Sequence, residues 1–339
     1  TRDSQQIIPI RRRVGMVFQN PDHQIVGSIV EEDVAFGPEN LGVPRDELIV
    51  RVREALQQVG LWEERRRAPH LLSGGQKQRL AIAGIVAMRP ACLVLDEATA
   101  MLDPQGRAEV LEIVRRLHRQ GVTIVAITHF MDEVVEADRV LVLSEGRLAL
   151  SGRPQEIFAR PDVLRRLRLE LPPAARLAEG LRQRRPALPA GLLSVPALVE
   201  AVDALSRPTS PVTLRGNGTS QVDKPRPVMP SLSEASRVGE GLRPNPLIAI
   251  DDLHYTYLAG TPLEAIALRG ATVKIQAGEI VAIIGRAGAG KSTLAQHMNG
   301  LLRPAQRGRV IVNGADLADA EADVRRLRQT VGLVFQHPE

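Results

Sequence analysis

The residues with the clearest chemical meaning lie near the C-terminus, where residues 285–292 read Gly-Arg-Ala-Gly-Ala-Gly-Lys-Ser. They match G-x-x-x-x-G-K-[ST], a loop whose glycines let backbone N–H groups close around phosphate oxygens. An apolar strand at 279–284 precedes the loop and a helix follows it, and the N-terminus of a helix favours an anion. Lys291 is therefore expected to reach the β and γ phosphates of a triphosphate, and the Ser292 hydroxyl to bind Mg²⁺. A tight glycine turn without a ligand is disfavoured, because the full motif stands in its full context.

The predicted phosphate contacts of this loop form one continuous run. They are Gly285, Arg286, Ala287, Gly288, Ala289, Gly290, Lys291, Ser292 and Thr293.

A second motif lies far upstream, at Leu72-Ser-Gly-Gly-Gln76. Ser73 and Gln76 have the spacing of a capping box, in which two side chains close the start of a helix. Gly74 and Gly75 leave backbone N–H groups exposed at the same helix end, which favours an anion. Taken alone, the motif is equally a helix cap or an anion site. The carboxylates a short way downstream favour an anion site formed by Ser73, Gly74, Gly75 and Gln76.

Two adjacent carboxylates end the apolar run Leu93-Val-Leu-Asp-Glu97. Open α/β sheets place their ligands at the carboxyl ends of the strands. Asp96 is therefore predicted to hold Mg²⁺, through water, and Glu97 to orient or deprotonate an attacking water. The alternative is a carboxylate pair that only caps the following turn, and the apolar strand before it disfavours this.

Polar side chains that follow other predicted strands are further candidate site residues. His129 follows the apolar run 122–127, where it is expected to contact the γ-phosphate and help position the water. Gln19 is expected to reach Mg²⁺ or water from the end of its own strand. Gln336 is its counterpart, because VGMVFQNPD at 14–22 returns as VGLVFQHPE at 331–339. The alternatives are a structural histidine and surface glutamines.

Two further candidates have strong structural alternatives. Asp103 precedes Pro104 and is an excellent N-cap for the helix that follows, so capping has at least equal weight with a ligand contact across a dimer. Tyr257, with Tyr255 nearby, precedes the phosphate loop in a strand-like segment. Its ring is expected to stack on adenine, an interaction worth about 1–3 kcal/mol by analogy with base stacking, and packing within the sheet is the alternative.

Composition limits the classes of protein. The chain has 339 residues, of which 44% are hydrophobic, and the length predicts about two domains. No apolar run approaches the roughly 20 residues that a membrane-spanning helix needs. Cys92 is the single cysteine, so no internal disulfide forms and a reducing, cytosolic setting fits. Net charge is +5, but aromatics are only 2%, which leaves few stacking platforms for nucleic-acid bases. The chain begins with Thr1 and is interpreted as a fragment.

Alternating strands and helices must position these residues, and they predict an α/β fold with a mostly parallel sheet. Residues 1–205 are predicted as one folded part, with helices at 45–60, 73–88 and 103–121. Residues 206–246 contain seven prolines without a hydrophobic period and are predicted to be a flexible linker. Residues 247–339 are predicted as a second folded part, which carries the phosphate loop.

These motifs together resemble the ATP-binding cassette family, for which LSGGQ is the signature. The resemblance covers nearly all of the chain except the linker. Residues 14–44 and 68–84 resemble the ATPase subunits of energy-coupling factor importers, and residues 256–268 resemble the partner ATPase of the same complexes. Ala98, where the family usually has proline, and Arg286-Ala287 in the loop depart from the family pattern.

The resemblance implies a phosphate-loop ATPase with a parallel sheet and a helical subdomain, which binds ATP and Mg²⁺. It implies hydrolysis at the cytoplasmic face of the cell membrane, with a membrane coupling subunit, a substrate-capture subunit and a second ATPase cassette as partners, and no nucleic acid. In the family, two cassettes enclose each ATP between the phosphate loop of one and the signature of the other. A DNA-handling relative is disfavoured, because no heptad run lies between Phe18 and Leu72.

The order of the motifs is inverted, since the carboxylates precede the phosphate loop in the chain. Residues 1–205 resemble the back of one cassette, and residues 247–339 the front of a second. On this interpretation each site lacks groups, and the chain is either an ATPase engine or a nucleotide-binding module with negligible turnover. We also hypothesise that residues 247–339 and 14–150 close together as one circularly permuted cassette.

Overall fold

The computed structural model describes residues 26–206, 245–318 and 330–334. Gln19, Gln336 and most of the predicted linker lie outside these residues. The helices are α1 (Val30–Asn40), α2 (Arg45–Gln58), α3 (Gly74–Val86), α4 (Pro104–Arg119), α5 (Met131–Val134), α6 (Pro154–Phe158), α7 (Pro161–Arg166), α8 (Pro173–Arg182), α9 (Val195–Ser206) and α10 (Lys291–Met298). The strands are β1 (Cys92–Asp96), β2 (Thr123–Ile127), β3 (Arg139–Ser144), β4 (Arg147–Gly152), β5 (Ile248–Tyr257), β6 (Ala265–Ile275), β7 (Ile280–Gly285), β8 (Arg307–Val312), β9 (Ala315–Asp316) and β10 (Val331–Val334).

The central sheet has the strand order β10-β1-β2-β7-β3-β4. Every neighbouring pair is parallel except β3 and β4, which form an antiparallel hairpin at one edge. Strand β7 from the C-terminal part lies between β2 and β3 of the N-terminal part, and β10 pairs with β1. The strands of the two parts are thus interleaved in one sheet, which is the arrangement that a circularly permuted cassette requires.

Strand β1 shows why the central sheet is covered on both faces. Its five residues are all buried, and neighbouring side chains of a strand point to opposite faces. Cys92 and Val94 join the core shared with β5, β6 and α10, whereas Leu93 and Leu95 join the core under α1–α4. Burial on both faces is the reason that the strand is a continuous apolar run rather than an alternating one.

The second sheet is antiparallel, with the strand order β6-β5-β8-β9, and comes entirely from the C-terminal part. Leu253, Leu268 and Val310 of this sheet share one core with Val125 and Leu141 of the central sheet. That core contains residues from both parts of the chain, so neither part buries its apolar face alone.

Helix starts agree with their sequence signals. Asp103 accepts a hydrogen bond from Gly106 N at 2.8 Å. Pro104 follows in the first turn of α4, where a backbone N–H would have no partner within the helix, so the missing N–H of proline costs no hydrogen bond. Ser73 and Gln76 form the predicted capping box at the start of α3, with Ser73 N donating to Gln76 Oε1 at 2.9 Å. Arg116 and Arg119 lie in the last turn of α4, where the helix dipole stabilises positive charge.

Within the described ranges, every helix is too short or too polar to cross a lipid bilayer. The boundaries predicted at residues 205/206 and 246/247 stay predictions, because residues 207–244 lie outside the described part of the chain.

The packing of β10 generates a test of the interleaved sheet. A Cβ added at Gly332 would lie 2.1 Å from Ile85 Cγ2 of α3, which is buried on the other part of the chain. We expect Gly332→Ala to lower the free energy of unfolding by about 1–3 kcal/mol, as overpacking of a core does. Urea unfolding at low protein concentration measures this.

The matched control is Gly84→Ala in α3, because a Cβ there meets no atom within 4 Å in the part of the chain that the structure describes. It should not destabilise the chain, since alanine is the better helix former. In a double-mutant cycle, Ile85→Ala should offset part of the loss caused by Gly332→Ala. Strictly additive losses would mean that β10 does not pack on α3.

Candidate active site

The phosphate loop connects β7 to α10 at the carboxyl edge of the central sheet. Gly290 has φ +94°, and a Cβ there would lie 2.5 Å from the backbone oxygen of Ala267, so only glycine fits. Among the described residues, no side chain caps α10 and no atom lies within 4 Å of a Cβ built at Gly288. The start of this helix is thus left without a side-chain cap from the described part of the chain, as a phosphate site requires.

Lys291 joins the two parts of the chain. Its side chain is only 8% exposed, and its Nζ donates hydrogen bonds to the backbone oxygens of Gly285 at 3.0 Å and Arg286 at 3.1 Å. The same Nζ lies 3.8 Å from Glu97 Oε1. The phosphate-loop lysine and the carboxylate strand, about 190 residues apart in sequence, thus meet at one sheet edge because β7 and β1 are both parallel to β2.

Asp96 is the most strongly perturbed carboxyl of the site. It is 3% exposed, and burial raises its pKa to about 6. The Ser292 hydroxyl donates a hydrogen bond and lowers the pKa, the charge of Glu97 raises it, and Lys291 lowers it. Its Oδ1 has no hydrogen-bond partner among the described residues. A buried carboxylate oxygen without a partner, beside a serine hydroxyl, fits a hard cation such as Mg²⁺.

Glu97 is held in an unusual backbone conformation. Its φ is +50°, which is uncommon for a residue with a side chain and clusters at functional sites. Its N–H donates to the backbone oxygen of Ile127 at 2.9 Å, one step beyond the β1–β2 ladder. Its Oε2 lies 3.5 Å from His129 Nδ1. The turn therefore aims the carboxylate between Lys291 and His129, where it can orient a water molecule or accept its proton.

The segment after His129 is fixed by residues that the sequence analysis missed. The Arg107 guanidinium lies over the Phe130 ring at 3.7 Å and donates to Glu133 Oε1 at 2.8 Å. The buried Glu133 carboxylate also accepts from Thr99 Oγ1 at 2.7 Å. These contacts connect α4 and the turn after Glu97 to the His129 segment. No local pattern identifies them, because Arg107 and Glu133 are 26 residues apart in sequence.

The signature residues form a separate helix start. The described hydrogen bonds of Ser73 and Gln76 close their own capping box, and α3 packs on α1, α2, α4 and β10. Helix α10 packs instead on strands of both sheets. The structure brings Asp96, Glu97, His129, Lys291 and Ser292 together, but it shows no contact that joins Ser73 to them within the described residues.

Tyr257 lies at the end of β5, and the residue is 37% exposed. Its hydroxyl is 3.2 Å from Thr293 Oγ1, in the first turn of α10. The hairpin that follows it exposes Leu258, Leu263 and Ile266 as well. An apolar platform therefore borders the phosphate loop, as the adenine-stacking prediction requires. That role stays a prediction, as do the contacts of Gln19 and Gln336, which lie outside the described residues.

Comparisons with known proteins show the family to which this sequence is similar. A family model described as ABC transporter matches residues 1–100 and 268–339. The energy-coupling factor transporter ATP-binding protein EcfA1 of Symbiobacterium thermophilum is 63% identical over 210 residues, which are 61% of this chain and 73% of that protein. EcfA1 of Caldanaerobacter subterraneus is 52% identical over 203 residues, with coverage of 60% and 73%. A solved structure of CbiO1 from Clostridium perfringens, part of the ABC transporter complex CbiONQ, is 40% identical, with coverage of 53% and 72% and a TM-score of 0.41.

The raised pKa of Asp96 generates a test of the buried carboxylate. Because its folded-state pKa exceeds the ordinary value of 3.8, the stability that this group provides is full below about pH 4 and is lost as pH rises through about 6. In the absence of divalent cations, we expect Asp96→Asn to be more stable than the wild type at pH 8, by about 2 kcal/mol, and to lose this advantage at pH 4. Urea unfolding in EDTA at both pH values measures the difference.

Asp103→Asn is the matched control, because it makes the same change at an exposed cap that asparagine also serves. It should not stabilise the chain at pH 8, because the Asp103 side chain is exposed and its replacement relieves no burial of charge. A pH-independent effect of Asp96→Asn, or a loss of stability at pH 8, would contradict a buried, destabilised carboxylate.

Proposed function

The chain belongs to the ABC transporter family, and from this premise we propose that it binds and hydrolyses ATP to energise an importer of the energy-coupling factor type. The observation that carries the proposal is the 3.8 Å separation of Lys291 Nζ and Glu97 Oε1, with Ser292 bonded to Asp96 beside them. It supports the proposal that groups binding a triphosphate lie next to groups that act on water. Both sets come from one chain, although the motifs occur in inverted order.

Each side chain has a separate task in this proposal. Lys291 leaves its carbonyl partners to bind the β and γ phosphates, and the N–H groups of the phosphate loop bind their oxygens. Ser292 and Asp96 would hold Mg²⁺, which supplies neutralisation of the phosphate charge when bound. Glu97 orients the attacking water and accepts its proton, while His129 contacts the γ-phosphate and helps to position that water. Gln19 and Gln336 are proposed as further contacts to Mg²⁺ or water.

The proposal also assigns residues to the adenine base and to the phosphates held by a second cassette. Tyr257 stacks on adenine, flanked by the exposed Leu258 and Ile266. The signature of this chain, Ser73 to Gln76, serves the phosphates bound by a second cassette. Support for this comes from Gly74, where a built Cβ would meet no atom of the described residues within 4 Å, which leaves room for a partner on that side of the helix start. Asp103 caps α4 and is proposed to lie near the same partner.

The relatives named as energy-coupling factor transporter ATP-binding proteins support the partners that we propose. These are a membrane coupling subunit, a substrate-capture subunit and a second ATPase cassette, either in the same longer chain or in another copy. The location proposed for the chain is the cytoplasmic face of the cell membrane, as a peripheral subunit. The imported substrate is expected to be a vitamin or a transition-metal ion, bound by another subunit.

The decisive measurement is phosphate release from MgATP by this chain. We expect Glu97→Gln to lower the rate at least about 100-fold, because it removes the general base while keeping the side-chain shape. Lys291→Ala should instead weaken ATP binding, measured by calorimetry. Glu170→Gln, at an exposed position outside the site, is the matched control and should keep the wild-type rate. Equal rates for the wild type and Glu97→Gln would indicate a nucleotide-binding module without turnover.

A further inference from the structure

Three aromatic rings connect the proposed adenine platform to the helix of the phosphate loop. The Tyr257 and Tyr255 rings lie edge to face, with centroids 5.0 Å apart at 82°. Tyr255 meets His297 of α10 in the same manner, at 4.8 Å and 77°. Such geometry is the preferred arrangement of aromatic pairs and is worth about 0.5–1.5 kcal/mol beyond the buried area.

The far end of this row is fixed inside the protein. His297 is fully buried, and its Nδ1 lies 2.7 Å from the backbone oxygen of Thr293. A carbonyl oxygen only accepts, so Nδ1 carries the proton. Burial lowers the pKa of His297, and its Nε2 has no hydrogen-bond partner among the described residues. Its tautomer and orientation are thereby set by α10 itself.

Thr293 contacts both ends of this row of three rings. Thr293 accepts from His297 through its backbone oxygen, and its hydroxyl is bonded to the Tyr257 hydroxyl at 3.2 Å. Tyr257 is thus held at its hydroxyl by Thr293 and at its ring by Tyr255, while 37% of the residue stays exposed to receive a ligand. Because Thr293 lies in the first turn of α10, the base platform and the phosphate-binding helix share one support.

We propose that Tyr255 and His297 are positioning residues, which hold the Tyr257 ring at the distance from the phosphate loop that a purine nucleoside triphosphate spans. Neither ring touches the nucleotide in this inference, which rests on the proposed function. The rings act by lowering the rotational freedom of Tyr257 before the base arrives, and preorganisation of this kind increases affinity without a new contact. Their effect must therefore be confined to ligands that carry a base.

Calorimetry with two ligands separates positioning from general damage to the site. We expect Tyr255→Leu and His297→Asn to raise the Kd for MgATP about five-fold, the range expected for one aromatic contact. The Kd for magnesium tripolyphosphate, which has no base, should remain within about two-fold of the wild type for both variants. Tyr255→Phe is the matched control, since it keeps both edge-to-face contacts, and it should bind MgATP as the wild type does.

A double-mutant cycle tests whether the effect passes through Tyr257. In a Tyr257→Ala background, Tyr255→Leu should cause no further loss of MgATP affinity. The inference is overturned by an equal loss for tripolyphosphate, by an unchanged Kd for MgATP, or by a loss that persists without the Tyr257 ring. A different outcome, in which the wild type binds neither ligand or binding survives Lys291→Ala, would contradict the proposed function and the inference with it.

Discussion

The pairing of β7 on both of its edges is the interaction on which the rest of the structure depends. Ile280–Ile283 pair with Ile124–Ile127 of β2, and Val281–Gly285 pair with Arg139–Leu143 of β3. Without this strand, the sheet of the N-terminal part would be split between β2 and β3, and the antiparallel sheet would lose the surface on which its core packs. The same pairing sets the position of the phosphate loop, because a parallel strand delivers the loop at the edge where β1 and β2 also end.

The charged groups at that edge of the sheet, Lys291, Asp96 and Glu97, are arranged to receive a ligand. Lys291 is surrounded by three oxygens, from Gly285, Arg286 and Glu97, whereas one buried oxygen of Asp96 has no partner among the described residues. Burial raises the pKa of Asp96, and so does the charge of Glu97, whereas the hydrogen bond from Ser292 and the charge of Lys291 lower it. A cation and a polyanion that enter together would satisfy both sets of groups. The positive φ of Glu97 also costs free energy, and such backbone strain clusters where a side chain must point into a functional site.

Local patterns were sufficient to predict the pieces of this site. Continuous apolar runs predicted β1, β2 and β7, the capping signals predicted the starts of α3 and α4, and the glycine spacing predicted the phosphate loop. The pairing of strands was not fixed by such patterns, because every buried strand of a parallel sheet has the same apolar composition. The contact between Tyr255 and His297 and the Arg107–Glu133 pair were not predicted, for a related reason. Each contact joins residues that are distant in sequence, and their spacing carries no period.

The inverted order of the motifs shows what the sheet does and does not require. Strand β10 fits beside β1 because Gly332 leaves room for Ile85 and because Asn299 donates to the Val331 backbone oxygen at 2.9 Å. Residues 14–17 have the same pattern in sequence, with Gly15 at the equivalent place. The residue pattern at this sheet edge therefore does not distinguish residues 14–17 from residues 331–334. Asn299, however, directly follows the phosphate-loop helix, and only the copy at 331–334 comes after it in the chain. A cassette needs its strands to be complementary and its loops long enough to connect them, and neither condition depends on which end of the fold comes first in the chain.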